Sequence, residues 1–395
     1  MQFAPAVSEL EIRSVQDGIA NGVRSDGRAL TQRRPFSVTS TRGNDAGYYG
    51  GSSVEVHCDG TTIVAAATPS VVELNTDPDS LHNLEKKGVP SLRGPLFVSI
   101  DAVPAVVDYY ARALRNGTGR YRQAFLSRLA LTIRHAFGAE GVTAQEQQLG
   151  VAEVELLADE ATNSGCMATV GEARLGDASE RDASPRARGS DSTGVGRRGF
   201  PGEQLYVGGG YAFRIDVDVH ILQGNGGNLP AAVSIAVHAA LKTIKLPSVT
   251  LHEASSGFSL EVDHSRPYSR PMDWSQLPVV AMMLVSPTRH YVVDPTRLEE
   301  LALPQQLLVA VNAPGQVWHT QFQQLPSRRG NAWRLGKEGQ RGHGEEKRES
   351  TPDPASMPPS AIGVSMPDLS AMLQAGVHIC QAVIAECDEL LLKGV

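Results

Sequence analysis

Hydrophobic positions along the chain follow two spacings, and the switches between them mark the elements. Residues 50–57 (GGSSVEVH) alternate apolar with polar, and 61–68 (TTIVAAAT) form a short unbroken apolar run. Asp59 and Gly60 lie between them, the residue types that a two-residue hairpin turn favours. Further strands are expected at Phe36–Thr41 and at 95–103 (PLFVSIDAV). Helical spacing appears first at residues 8–24, where Ser8 and Glu11 make a capping box ahead of Ile12, Val15 and Ile19. It returns at 119–137, which sets Phe125, Leu126, Leu129, Ile133 and Phe137 on one face.

A strand is expected near 151–158, and another at IDVDVHIL (215–222), which leads through a glycine-rich turn into a helix. The second half repeats the plan, with strands at 279–285 and 290–293 and a helix near 297–310. A long C-terminal helix is expected from about Pro367, whose fixed φ suits a first helical position, with Leu369, Leu373, Ile379, Val383 and Leu390 inward. Hairpins followed by helices, given twice, predict an α+β fold with helices on one face of each sheet. Residues 174–203 and 326–360, rich in Gly, Ser, Asp and Arg, have little to bury and read as flexible insertions.

The turn itself, GNGGN (224–228), stands at a helix N-terminus, where backbone N–H groups often hold a phosphate. Its spacing is not G-x-G-x-x-G, and hairpins rather than βαβ units precede it, which speaks against a dinucleotide-binding enzyme. Asp216 and Asp218 share one face of the incoming strand, with His220 following them as a candidate base or an interface histidine.

The 395 residues carry a formal net charge of −7, so any nucleic-acid contact must come from a local basic patch or a partner. Six arginines crowd 112–134, and Arg120 and Arg122 lie at the expected helix start, where N–H groups also favour phosphate. Cys58, Cys166, Cys380 and Cys387 form no CxxC pair and no metal-binding spacing, so they read as idle thiols in a reducing compartment. No metal and no cofactor is expected. The first residues lack a basic, apolar leader, and no apolar run approaches the ~18 residues of a membrane span, so no membrane partner is expected.

Four segments, in order, resemble the RNase PH family: RSDGR (24–28), GSSVEVHCDGTTIVAAAT (51–68), IDVDVHILQGNGGNLPAAVSIAVHAALKTIKLP (215–247) and TRHYVVDPTRLEELALPQQLLVAVNAPGQV (288–317). Within the family, the GGN turn, the SIAV-x-AAL helix and the RH-x-VVD strand are most similar to the eukaryotic exosome's ring subunits of the forty-two type. The resemblance implies the RNase PH fold (ribosomal protein S5 domain 2-like). Residues 1–30 would form a helix and turn, 31–250 a first lobe with the 174–203 insertion, and 251–395 a second with the 326–360 insertion. Active members release nucleoside diphosphates from RNA 3′ ends by phosphorolysis, and their turn reads roughly LQADGGTR. Asn225 stands here in place of that turn's Asp, and Leu229 in place of its Arg, while Gly224, Gly226 and Gly227 keep the backbone. Neither Asn nor Leu can supply the acid or the cation.

The resemblance therefore implies a non-catalytic exosome ring subunit, a scaffold that guides single-stranded RNA in rRNA processing and mRNA decay. Its partners would be other RNase PH-like ring subunits, S1/KH cap subunits, an attached nuclease and RNA, with Arg120 and Arg122 as candidate RNA contacts. Nucleus, nucleolus and cytoplasm are carried over as compartments. The alternatives are an active phosphate-dependent exoribonuclease with Asp218 or Asp216 as acid, and a composite site to which this chain lends arginines.

Overall fold

Helix α1 (Glu9–Ala20) begins at its capping box, with Glu11 N–H donating to Ser8 Oγ and Ser8 N–H to Glu11 Oε2. It buries Val15 and Ile19. A computed structural model of the protein describes residues 7–40, 49–74, 93–113, 119–139, 200–254, 257–270, 272–286, 288–303, 305–324 and 364–393, all within the unit Met1–Glu140 and Gly199–Val395. The strand expected near 151–158, the 326–360 insertion and nearly all of the 174–203 insertion lie outside the described residues.

The expected hairpin forms. Strands β1 (Ser37–Ser40), β2 (Ser52–Cys58), β3 (Thr61–Glu73), β4 (Leu96–Ala102), β5 (Tyr206–Gly208) and β6 (Tyr211–Gly224) make one sheet, ordered β1-β2-β3-β6-β4, with β5 on β6. Only β4 runs parallel to its neighbour. Asp59 and Gly60 both take positive φ (30° and 75°), which gives the β2–β3 turn the twist its strands need. β3 runs past Thr68 through Pro69, opposite Ile215 of β6. By then β2 has ended at the Ser52–Ala67 pair, so the proline's missing N–H costs no ladder bond.

Two helices, α2 (Pro104–Ala113) and α3 (Gly119–Phe137), follow β4, and α3 packs on it through Leu129, Ile133 and Phe137. Helix α4 (Leu229–Lys242) follows β6 and packs against both main sheets. It is apolar nearly all round and rich in alanine, as a helix covered on both sides must be.

The second sheet is antiparallel, ordered β10-β9-β11-β12, from β9 (Pro278–Val285), β10 (Tyr291–Val293), β11 (Gln305–Asn312) and β12 (Val317–Gln324). A ribbon of β7 (Pro247–Ala254) and β8 (Gly257–Pro267) stands apart. The helix expected over 297–310 is shorter: α5 (Arg297–Ala302) ends after six residues and β11 follows. Pro304 cannot continue a helix, and QQLLVAVN is buried along its whole length, a pattern that helix and strand share.

Helix α6 (Met366–Lys393) closes the second sheet, with Gly376, Cys380, Val383, Ile384 and Cys387 buried. By length and composition it is apolar enough to cross a membrane, a property it shares with the core helices of folded domains. Its apolar side lies on β9 and β11, where Gly376 lets Val309 and Met283 approach.

Candidate functional site

All four motif segments converge on the glycine turn. Asn228 enters α4 in the left-handed region (φ 53°), and its N–H donates to Glu300 Oε1 at 2.6 Å. A carboxylate of the chain itself thus sits on the N–H at the start of the helix, where a bound anion would be favoured. The other Glu300 oxygen accepts from Arg297 Nη1 at 2.7 Å, and that guanidinium lies 4.0 Å from the centroid of the Tyr110 ring. Tyr110 reaches back to the turn and donates its hydroxyl to Gly224 O. Burial, reinforced by Glu300, raises its phenol well above the ordinary value.

Gly226 and Gly227 are needed for contact with their neighbours. A Cβ on Gly226 would stand 2.1 Å from Asp59 O of the β2–β3 hairpin. One on Gly227, whose φ is +80°, would stand 2.5 Å from Arg297 N. Asn225 N–H donates to Gly60 O, so the two turns hold each other directly.

Asp294 is the centre of the charge network. Its carboxylate accepts from Arg34 N–H (2.7 Å), Nε (3.0 Å) and Nη2 (2.8 Å), from Arg28 Nη1 (3.1 Å) and from Asn228 Nδ2 (2.7 Å). Burial alone would raise this carboxyl, but the bonds and charge of Arg34, with the Asn228 amide, bring it down to about 2. Burial would likewise lower the Arg34 guanidinium, and its bonds to Asp294 reverse that. Arg34 also donates Nη1 to Gly226 O at 2.5 Å, tying the network to the turn. Arg24 is fully buried and forms a two-pronged pair with Glu299 (2.9 and 2.7 Å), with further bonds to Val293 O and Asp294 O. Asp26-Gly27-Arg28 forms an ordered turn, with Gly27 at φ 77°.

The candidate residues divide between two places. Gly224, Gly226 and Gly227 shape the turn, Asn225 is exposed at its tip, and Leu229 is 1% exposed and packs into the core behind it. Asp216, Asp218 and His220 lie along the outer face of β6, opposite the buried Ile215, Val217, Val219 and Ile221. Gly224 lies six steps along the strand from Asp218, about 20 Å. Asp216 pairs with Arg214 (2.7 Å), and Asp218 accepts the Ser99 hydroxyl (2.5 Å). Arg120 and Arg122 fall in the first turn of α3, and their side chains lie outside the described residues.

Sequence reasoning missed Arg34, Asp294, Glu299, Glu300, Arg297 and Asn228. One signal was readable: Thr296-x-x-Glu299 is a capping box, and both of its bonds form at α5. Behind the turn a cavity of about 40 Å³, lined by Cys58, Phe36, Ile235 and Met282 among others, has room for a water or two. Burial, with Asp294 nearby, pushes the Cys58 thiol up to about 11, which favours the protonated form at neutral pH.

No family model matches the chain, and no curated protein matches it. Solved structures do. One, described as "Archaeal exosome core", superposes with a TM-score of 0.51 at 14% identity over 96% of this chain and 97% of that one. Another, the Archaeoglobus fulgidus exosome with RNA bound to the active site, gives 0.50 at 15% identity over 96% and 98%. The fold is that of the exosome core. It is the mixed α+β, RNase PH-like fold, and at this identity the fold is what the likeness carries.

Proposed function

We propose that this chain is a non-catalytic ring subunit of an RNA exosome, building the RNase PH-like ring and guiding single-stranded RNA for 3′–5′ processing and decay. One observation carries the reading: the charged groups around the start of α4 are committed to the chain itself. Glu300 sits on the Asn228 N–H, and Arg34 is committed to Asp294 and to Gly226 O. Asn225 brings no acid to the tip, and Leu229 points its side chain into the core. Phosphorolysis needs an acid and a cation to hold inorganic phosphate; the turn brings no acid, and the guanidiniums beside it, Arg34 and Arg297, are already paired with Asp294 and Glu300.

The partners on this reading are other RNase PH-like ring subunits, with S1/KH cap subunits and a nuclease bound to the ring. The backbone of α3 starts at Gly119, so Arg120 and Arg122 stand at a helix N-terminus suited to RNA phosphate, with salt-dependent affinity. Work in the nucleus, nucleolus and cytoplasm belongs to the same proposal.

The test is to incubate the full chain with inorganic phosphate and short oligo(A), alone and reconstituted with ring partners. No release of ADP from the chain alone is expected. ADP release that Asp218→Ala abolishes would replace this reading with that of an active exoribonuclease.

A further inference from the structure

A sheet edge exposes unpaired N–H and C=O groups, and of the four outer strands in the orders of the two main sheets three are shortened or covered. β1 is four residues long. On β4, Arg134 Nε donates to Val98 O at 3.0 Å, and Asp101 Oδ1 accepts from Ala102 N–H at 2.8 Å. β10 has three residues, and Val293 N–H donates to Leu30 O at 2.8 Å. The fourth edge, β12, is different. It runs eight residues, pairs with β11 on one side, and among the described residues meets no strand on the other. Its sequence, VWHTQFQQ, has no charge and no proline to guard the edge, and one register shift, opposite Ala310 and Val311, interrupts its pairing with β11 near the Val317 end.

Large apolar side chains flank this edge. Val317 is 45% exposed and Phe322 47%, and Leu131 of α3, on the neighbouring helix, is 46%. α3 lies along β12 with Thr132 reaching Gln321 at 3.2 Å and the His135 and His319 rings 5.5 Å apart. That spacing continues to Arg128 one turn earlier, beside the Gln323 end of the strand. Among the described residues Arg128 makes no ion pair.

We propose that the β12 edge receives an extended strand from a partner polypeptide, uncharged where it pairs, apolar over Phe322 and acidic toward Arg128. Backbone pairing supplies the affinity in such strand addition, and side chains supply the selection. Charge decides against a second copy of this chain. Antiparallel self-pairing about a two-fold axis lays both α3 helices on one face of the joined sheet. α3 holds Arg120, Arg122, Arg128, Arg134 and His135 and not one acidic residue, so it would meet only its own sign. The surface does not depend on whether the chain catalyses.

The probe is a capped synthetic peptide alternating valine and threonine with glutamate at each end, added to the full-length protein. Amide hydrogen exchange at 317–324 should slow by about tenfold or more at saturation. A peptide with proline in place of the valines should give no slowing. Phe322→Lys should weaken binding by about tenfold. Arg128→Glu should transfer the preference to a lysine-ended peptide, with unchanged melting as the check on folding. Several results would overturn the proposal: no slowing at 317–324, equal binding of the proline peptide, or an unchanged preference in Arg128→Glu. So would protection that grows with protein concentration alone, which means self-pairing, or protection by oligo(A) in place of peptide, which means RNA.

Discussion

Arg34 holds Asp294 from three sides, through its own N–H, its Nε and its Nη2, across 260 residues of sequence. The same guanidinium reaches Gly226 O, so one side chain links the N-terminal segment, the glycine turn and the loop after β10. Removing the Arg34 side chain takes the nearest cation from a buried carboxylate and leaves it to Arg28, Asn228 and the Arg34 N–H. Arg34→Ala should lower unfolding free energy by about 3–5 kcal/mol, read by urea denaturation. A loss below about 1 kcal/mol, the range of an exposed pair, would show that the network does not hold the turn.

The same pair sets an acid limit. Asp294 falls from an ordinary 3.8 to about 2 on folding, so its contribution is fully present above pH 4 and is lost as pH falls toward 2. The shift corresponds to about 2 kcal/mol. Melting curves of the wild type should drop through that window, and those of Asp294→Asn, already destabilised at neutral pH, should drop less.

His238 works in a higher window. Burial first, and the Lys242 charge second, lower it from 6.5 to about 4, and its Nδ1 faces Pro278 O at 3.2 Å. Below pH 6.5 the unfolded chain takes up a proton that the folded chain refuses, so stability should decline from 6.5 down to about 4. The full decline is about 3 kcal/mol. His238→Gln should flatten that stretch of the stability–pH curve, and an unchanged slope would remove His238 as its cause.

Gly227 allows no side chain. With φ at +80° and a Cβ position 2.5 Å from Arg297 N, Gly227→Ala should cost about 2–4 kcal/mol, seen as a lower Tm. Asn225→Asp, at the exposed tip, should leave Tm nearly unchanged. It should also release no ADP from oligo(A) and phosphate, because restoring the acid restores no cation. ADP release by that single variant would contradict the proposed role.

The sequence made the local parts of this fold readable. The β2–β3 hairpin turns at Asp59-Gly60 as the residue pair dictates, and β9 and α6 begin within a residue of the expected places. β11 was hidden because all eight of its residues are buried, with α6 packed against it, which erases the alternation that marks a strand. β12 was hidden because glutamine, threonine and histidine give no clear period. At the site, GNGGN was visible as a turn. Its partners were not, since Arg34 and Asp294 look like ordinary polar residues until the fold brings them together.

The network also sets the order in which the protein can be completed. Arg24, Arg28 and Arg34 are made early in synthesis, and the carboxylates that neutralise them, Asp294 and Glu299, come some 260 residues or more later. At ~5–20 residues per second the first arginines wait on the order of ten seconds or longer for their partners. During that time these arginines lack their buried carboxylate partners, with Asp26 the nearby acid for Arg24 and Arg28. Final locking of the glycine turn is thus a late, long-range step, of the kind that slows folding and offers chaperones a target.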